Sequence, residues 1–326
     1  MNSSKVSLII PVYNVRNYLR KCLDSVAAQT YKNLEVVIVN DGSTDDSLEI
    51  VNEYTQKFDN MTCYTIENRG QGGARNFGIE KSTGEYIAFL DSDDYVENTY
   101  IEKLVLAAVE SGSDIAVCNN FDVDENGEIL ETYKNRYKNR ITSLSSEPSI
   151  LFNRVCPWGK LYKRELFLDL KFVSRIWYED MRLMPKLLLK AEKICYIDDC
   201  LVYYVQRQGS TMNNNNLKRN LEIVDVFNDV VEYYKSEGKY AQFKNELEFL
   251  IIEHVAVATT TRVAVGNTKD KSSVLKELAA YLSGFENLYD NPYLKTQERN
   301  RKIILWLNRH RLYWATKLLM KLKSAL

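Results

Sequence analysis

Several kinds of site are excluded by what this 326-residue sequence lacks. It has only two histidines, His254 and His310, which excludes a histidine-rich metal centre and disfavours histidine acid–base chemistry. Its six cysteines form no Cys-x-x-Cys pair, so we expect buried thiols and neither a disulfide framework nor a zinc site. The formal net charge is only −1, which gives no indication of a nucleic-acid partner.

Two nucleotide motifs and two membrane signals are also missing. The first predicted strand is not followed by Gly-x-Gly-x-x-Gly, and no Gly-x-x-x-x-Gly-Lys-[Ser/Thr] phosphate loop occurs. No run of 18 apolar residues occurs, and the N-terminus leads into a strand pattern without a charged and apolar leader. We therefore expect neither a spanning helix nor export by a leader, and a cytoplasmic location.

Strand and helix patterns alternate through the first part of the chain. Apolar strands are predicted at 6–10, 34–39, 61–66, 85–90 and 115–118, with Pro11 ending the first, and helices near 15–29, 48–54, 73–82 and 97–111. The glycines of 70–78 indicate a tight turn and a helix packed closely on the sheet. This alternation predicts an α/β fold, a mostly parallel sheet with helices on both faces.

The remaining patterns are mixed and then helical. A hairpin turn is predicted at 125–128, a helix at 179–190 and a strand pair across 193–206. After four asparagines at 213–216 the periodicity is helical, over 217–236, 239–265, 271–286 and 298–323. We therefore predict a catalytic domain at 1–215 and a helical C-terminal domain at 216–326.

The fourth predicted strand ends in three acids, Asp91, Asp93 and Asp94. Adjacent carboxylates repel one another, and a divalent cation such as Mn²⁺ or Mg²⁺ would balance them. The alternative is a turn and a helix cap. Polar clusters at 13–14 and 41–43 follow two other strands, and ligands of such sheets bind beyond the carboxyl ends. We expect one crevice formed by these three loops.

Four motifs then resemble one family in order and spacing. They are Ser-Leu-Ile-Ile-Pro-Val-Tyr-Asn at 7–14, Asn-Asp-Gly-Ser-Thr-Asp at 40–45, Gly-Ala-Arg-Asn at 73–76 and Leu-Asp-Ser-Asp-Asp at 90–94. Over about residues 5–210 the chain resembles the family 2 inverting glycosyltransferases, which have the GT-A fold. Trp-Gly-Lys-Leu-Tyr at 158–162 and Glu-Asp at 179–180 resemble acceptor-side motifs of members that build bacterial capsular or surface polysaccharides.

The resemblance implies inverting transfer of a hexose or N-acetylhexosamine from a UDP-sugar to a saccharide acceptor. It assigns the general base to Asp180 and metal binding to Asp93 and Asp91. The residues it assigns to the nucleotide sugar are Pro11, Tyr13, Asp41, Arg75, Asp91 and Ser92, and those it assigns to the acceptor or the diphosphate are Trp158, Lys160, Glu179 and Arg207.

Alternatives for single residues stay open. Asp41 suits an Asx turn, Arg75 a pairing with the acids or with a phosphate, and Lys160 a diphosphate contact or a surface charge. Asp180 suits the favourable start of a helix, and Gln206 or Gln208 could replace Arg207. A sugar-1-phosphate nucleotidyltransferase would need a glycine-rich loop after the first strand. A non-catalytic carbohydrate-binding protein of this fold is the remaining alternative.

The C-terminal residues 299–326 have eight Lys or Arg and no acid. Apolar residues, including Trp306 and Trp314, lie between these charges. This pattern predicts binding to an anionic membrane surface, which suits a lipid-linked acceptor and a peripheral location on the inner face of the cell membrane. The alternative is a helix packed on its own domain, and a homodimer through the helical region stays open.

Overall fold

The computed structural model describes residues 4–207, 216–266 and 270–323. The chain divides into two compact units, one of Met1–Glu147 and Asn153–Gln208, the other of Pro148–Phe152 and Gly209–Leu326. The predicted boundary at residue 215 lies outside the described residues and stays a prediction.

In the first unit the described residues form one ten-stranded sheet, in the order β3-β2-β1-β4-β9-β6-β10-β5, with β7 beside β6 and β8 beside β10. The strands are β1 (Val6–Val12), β2 (Leu34–Asn40), β3 (Met61–Thr65), β4 (Tyr86–Phe89), β5 (Tyr95–Val96), β6 (Ile115–Val123), β7 (Ile129–Tyr133), β8 (Ile141–Thr142), β9 (Lys160–Lys163) and β10 (Ile194–Val205). The helices are α1 (Arg16–Ala27), α2 (Ser47–Lys57), α3 (Gly70–Lys81), α4 (Tyr100–Ser111) and α5 (Glu179–Lys190), with 3₁₀ turns at Pro148–Phe152, in the second unit, and Arg164–Phe167.

The strands β3, β2, β1 and β4 run parallel. The α/β prediction is therefore confirmed, although β9 runs antiparallel between β4 and β6. Pro11 was expected to end β1 but lies within it, opposite Val39. The Ile9 carbonyl accepts a hydrogen bond from the Leu90 backbone on the β4 side of β1. The backbone of Pro11, two residues on, faces the same side, but β4 has already ended there. Its missing N–H therefore costs no ladder bond.

The strand pair predicted across 193–206 is wrong, because these residues form the single strand β10. It runs parallel to β6, with register shifts between Tyr196 and Cys200 and between Cys200 and Val202. Such irregularities interrupt the apolar pattern and imitate a turn. The predicted hairpin turn is confirmed, since β6 and β7 pair antiparallel and Gly127 adopts a φ of 92°. All six cysteines are free.

Helices cover both faces of the sheet. On one face, alternate side chains of β1 pack with apolar residues of α1, α2 and α4 in a continuous core. On the other face, the Phe89 ring lies edge-on to Phe167 and Phe172, at centroid distances of 5.7 and 5.5 Å. This two-sided burial explains why the strand sequences are almost continuously apolar.

Helix α3 lies against the sheet at Gly78, as the glycine pattern predicted. A Cβ at this position would lie well inside van der Waals contact with Ile9 Cγ2. The helix axis can therefore approach β1 only because this residue lacks a side chain. Close approach places the start of α3 over the carboxyl ends of the strands.

We expect Gly78→Ala to lower the free energy of unfolding by about 1–3 kcal/mol, because the added methyl overpacks the contact with Ile9. Helix propensity alone would predict a gain of roughly 1 kcal/mol. Urea unfolding followed by circular dichroism measures the difference. Glu80→Ala, an exposed change in the same helix, should stay within about 0.5 kcal/mol. Equal stability of the two variants would contradict this packing.

The second unit is helical. Its elements are a 3₁₀ turn (Leu217–Leu221), α6 (Glu222–Ser236), α7 (Tyr240–Ile251), a π-helical stretch (Ile252–Thr259), α8 (Thr260–Val265), α9 (Lys271–Ser283), 3₁₀ turns at Leu288–Asp290 and Pro292–Thr296, α10 (Arg299–Arg309) and α11 (Tyr313–Lys323). The single helix predicted over 298–323 is wrong, because the chain turns at Arg311 with a φ of 57°. Among the described residues, no helix is both long and apolar enough to cross a membrane.

Candidate active site

The loops after β1, β2, β3 and β4 meet at one edge of the sheet. The Asn14 side chain accepts a bond of 2.7 Å from the Thr44 backbone, which joins the first loop to the second. The Gln71 amide donates to Asp91 over 3.0 Å, which joins the start of α3 to the acidic loop. Parallel strands end at the same edge, so the three loops lie together as predicted, and a fourth loop joins them. That they enclose one crevice stays a prediction.

Asp41 follows β2 and is only 2% exposed. Its carboxylate accepts a 2.7 Å bond from the backbone N–H of Arg69, and its carbonyl accepts one from the Asn68 amide. Burial raises the pKa of Asp41, and the backbone amides of Arg69 and Gly70 offset part of this effect. The Asx turn before α2 is made by Asp45, which accepts from the Ser47 backbone, and the Asp41 carboxylate accepts from Arg69, so the Asx-turn alternative for Asp41 is wrong.

Two arginines pair with two of the three acids that follow β4, Asp91 and Asp93. Arg75 donates to Asp91 over 2.7 Å, and Arg207 Nε donates to Asp93 over 2.6 Å. Burial and the charge of Asp91 raise the pKa of Asp93, while Arg207 opposes this rise. Part of the positive charge that the sequence attributed to a cation is thus supplied by the protein itself.

Asp94 lies beneath the other acids and is 1% exposed. One of its carboxylate oxygens accepts a 2.8 Å bond from the Val205 backbone, and the other has no hydrogen-bond partner. Burial, then Asp93 and Asp91, raises its pKa well above the usual range. Asp94 therefore fastens the end of β10 to the acidic loop.

No group of three or more His, Cys, Asp or Glu side chains in the described ranges is arranged to hold a metal ion. Mg²⁺ and Mn²⁺ commonly bind through one or two carboxylates, with water and substrate phosphates as the other ligands. Asp91 and Asp93 supply such oxygens and remain partly exposed, at 18% and 23% of their side chains. Their like charge raises the pKa of Asp93. These residues therefore fit a cation that is completed by a diphosphate.

Arg75 is a buried link between the acidic loop and the start of α5. It is 1% exposed and donates to Asp91 and, over 2.8 Å, to Glu179. Burial lowers its pKa, but the Asp91 and Glu179 carboxylates outweigh this, so the net shift is upward. Arg75 therefore positions two carboxylates, which agrees with the predicted pairing with acids. Its buried Nε has no hydrogen-bond partner, and a contact with a phosphate stays a prediction.

Asp180 lies in the first turn of α5, which begins at Glu179 as predicted. Its carboxylate accepts a 2.7 Å bond from the Met181 backbone. Burial and the Glu179 carboxylate raise the pKa of Asp180 to about 7, against the opposing effects of that bond and of Arg75. A helix N-terminus alone would lower this pKa. The local surroundings thus prepare a carboxyl group that exchanges protons near neutral pH.

The acceptor motif is more buried than the sequence suggested. Trp158 is 5% exposed and stacks on Tyr204 with centroids 5.2 Å apart, so its contact with an acceptor stays a prediction. Lys160 is 7% exposed, and its ammonium group donates to backbone carbonyls of the preceding loop, at 2.7 Å from that of Cys156. Lys160 is therefore not a surface charge, and it holds the loop in place.

The remaining predicted residues differ in exposure. Pro11 and Ser92 are buried, whereas Tyr13 is 51% exposed. Trp177 is in the core. Gln206 bonds Asp122, and Gln208 lies outside the described residues.

Sequence reasoning missed several polar residues around the site. Asn68, Arg69 and Gln71 follow β3, and the rule that identified the other loops could have found them. The bidentate pair of Arg154 and Asp122, with N–O distances of 2.7 and 2.8 Å, had no signal in the sequence. Its partners are 32 residues apart and meet only through the tertiary fold.

Known proteins share this sequence pattern. The family described as Glycosyl transferase family 2 matches residues 7–170. Glycosyltransferase GlyA of Streptococcus pneumoniae is 33% identical over 290 residues, which cover 84% of this chain and 42% of GlyA. Glycosyltransferase GlyG of the same species is 32% identical over 239 residues, which cover 69% of this chain and 79% of GlyG. The chain thus spans less than half the length of GlyA.

A solved structure shares the fold. S. aureus TarS in complex with UDP-GlcNAc matches with a TM-score of 0.74 and 21% identity, over 98% of this chain and 92% of that one. At this identity the match concerns architecture alone. The family match and the relatives agree with the motifs around the crevice. The chain therefore belongs to glycosyl transferase family 2 and has the GT-A fold.

Proposed function

We propose that this chain transfers a hexose or N-acetylhexosamine from a UDP-sugar to a saccharide acceptor, with inversion and with Mn²⁺ or Mg²⁺ bound. Family membership supports sugar transfer, and the UDP-GlcNAc held by the structurally similar TarS supports the donor class. The resemblance of the motifs at 158–162 and 179–180 supports a role in bacterial capsule or exopolysaccharide synthesis, and the basic segment 299–326 supports a lipid-linked acceptor.

One observation carries this proposal. Arg75 ties Asp91, beside the proposed metal position, to Glu179, the neighbour of the proposed base. The two bonds, 2.7 and 2.8 Å long, hold the donor side and the acceptor side of the crevice at a fixed separation. Fixed separation is what a direct displacement needs, because the hydroxyl and the leaving group must lie on opposite faces of the anomeric carbon.

The proposed reaction is a single displacement. The acceptor hydroxyl oxygen forms a bond to the anomeric carbon as the bond from that carbon to the diphosphate oxygen breaks. The bonding pair leaves with the nucleoside diphosphate, and Asp180 takes the hydroxyl proton. Asp41 accepts a hydrogen bond from an N–H of the uracil base, and Glu179 orients the acceptor saccharide. Asp91 and Asp93 would hold the cation, which supplies positive charge to offset that of the leaving diphosphate.

Nucleoside diphosphate release from a panel of UDP-sugars, with and without Mn²⁺, tests the proposal. Release that needs both an acceptor and the metal would support it. Sugar binding without release on any acceptor would favour the non-catalytic alternative. Release of pyrophosphate from a sugar 1-phosphate and UTP would favour a nucleotidyltransferase.

We expect Asp41→Asn to weaken UDP binding roughly 10–100-fold, because an amide donor would face the base N–H in place of a charged acceptor. The Arg69 bond can survive, since asparagine keeps one oxygen acceptor. Calorimetry with UDP measures the change. Asp45→Asn, in the same loop, keeps one oxygen that can accept from Ser47 and should leave UDP affinity within about twofold. Equal affinities for the two variants would exclude Asp41 from the base pocket.

A further inference from the structure

The second unit presents one surface that its own packing does not explain. Its exposed large apolar side chains, among the described residues, all lie on α10 and α11: Ile303, Trp306, Trp314, Leu318 and Leu322. Trp306 is 54% exposed and Trp314 is 71% exposed. Tryptophan is expensive to leave in water, and a grouped set of exposed apolar residues marks a binding surface more often than a scattered one.

The spacing places these residues on the outer sides of the two helices. On α11, Trp314, Leu318 and Leu322 recur every four residues and therefore form one stripe. On α10, Trp306 follows Ile303 by three positions, so the two side chains lie on the same side of the helix. The intervening residues Leu305 and Thr316 are buried, so each helix has a distinct inner side.

The inner sides are fixed by a buried polar network. The Asn308 amide donates to the Ala256 carbonyl over 2.9 Å and to Thr261 over 3.1 Å. The Thr316 hydroxyl donates to Asn308 over 2.9 Å, which ties α11 to α10. Both helices are therefore fastened to the segment of 252–265, and their apolar stripes face away from it. The alternative of a helix packed on its own domain thus describes the inner sides of both helices, and it leaves the five apolar side chains of the outer sides exposed.

The charge of the same helices identifies the partner. Eight of the 43 Lys and Arg lie in residues 299–326, which contain no acid, although the whole chain is at −1. The basic residues beside the stripes include Arg299, Lys302, Arg309 and Lys321, all exposed. Basic residues beside tryptophan and leucine match a lipid surface with anionic headgroups and an apolar interior.

We propose that α10 and α11 form a docking surface for an anionic lipid bilayer, with the two tryptophans at the headgroup level. A second copy of the chain is a poorer partner, because a symmetric contact would bring two sets of basic residues together. Nucleic acid would leave Leu318 and Leu322 exposed. The proposal goes beyond sugar transfer, since no step of the reaction requires this surface.

Vesicle sedimentation with the full chain tests the proposal. Binding to phosphatidylcholine vesicles containing phosphatidylserine should be at least about tenfold tighter than to phosphatidylcholine alone, and should weaken as salt rises. The double variant Trp306→Ala, Trp314→Ala should lose at least about tenfold in binding to the anionic vesicles. Both side chains are exposed, so its thermal midpoint should be unchanged.

The matched control is Leu106→Ala, Leu168→Ala, which removes two exposed apolar side chains from the first unit. Its vesicle binding should stay within about twofold of the wild type. Equal binding to both vesicle types, or equal losses in the two double variants, would overturn the proposal. So would a dimer that only the tryptophan variant dissociates, with vesicle binding unchanged. UDP release with a water-soluble acceptor reports on the proposed function separately.

Discussion

Asp180→Asn should reduce kcat by about 10²–10⁴-fold, while UDP affinity stays within about twofold. The change keeps the size of the side chain and one oxygen that can accept from Met181. What it removes is the ability to take the acceptor proton as the new bond forms. Nucleoside diphosphate release measures kcat, and calorimetry measures UDP affinity on the same preparation.

The pH profile gives a second measure of the same role. Burial and Glu179 raise the pKa of Asp180 to about 7, so this carboxyl is mostly protonated at pH 6 and mostly ionised at pH 8. A base must be ionised to act, and kcat should therefore rise with pH through this range. A cation at Asp91 would cancel part of the negative field around Asp180 and would lower the pH at which kcat reaches half of its maximum. In Asp180→Asn, kcat should not rise over this pH range.

The control for this prediction is Asp169→Asn, which changes an exposed carboxylate that pairs with Lys190 near the other end of α5. Its kcat and pH profile should match the wild type. Full activity in Asp180→Asn, or an unchanged pH limb, would remove Asp180 from the role of base. A loss of UDP affinity equal to the loss of kcat would instead indicate a misfolded crevice.

Much of this architecture was predictable because its determinants are local. Each of β1, β2 and β4 is a short, largely buried apolar run followed by polar residues, and this pattern alone predicts parallel strands and the edge where ligands bind. The start of α5 was predictable for a similar reason, since Glu179 and Asp180 are acids at a helix N-terminus. These features depend on neighbours in sequence.

Features that depend on distant residues were not predictable. The strand β10 appeared as two strands because its register shifts interrupt the apolar run. Lys160 appeared to be available for a ligand, yet backbone carbonyls surround its ammonium group. The pairing of Arg207 with Asp93 joins residues 114 positions apart. No periodicity reports such contacts, because they arise only when the whole sheet has formed.

The pairing of Arg207 with Asp93 concerns the residue that is proposed to bind the metal. We expect Asp93→Ala to abolish the metal dependence of UDP binding. In the wild type we expect UDP to bind at least about tenfold more tightly with Mn²⁺ than with EDTA, because the cation joins the carboxylates to the diphosphate. Without the Asp93 carboxylate the two affinities should become equal. Calorimetry under both conditions measures this ratio without any turnover.

Arg207→Gln is the informative partner of this variant. Arg207 donates to Asp93 over 2.6 Å and therefore competes with any cation for that carboxylate. Removing its charge should strengthen the binding of Mn²⁺ alone, whereas Asp93→Ala should weaken it, so the two variants change the same equilibrium in opposite directions. Equal UDP affinity with Mn²⁺ and with EDTA in the wild type would exclude the cation from the donor site. Asp93 would then serve only to hold Arg207, whose charge could itself offset that of the leaving diphosphate.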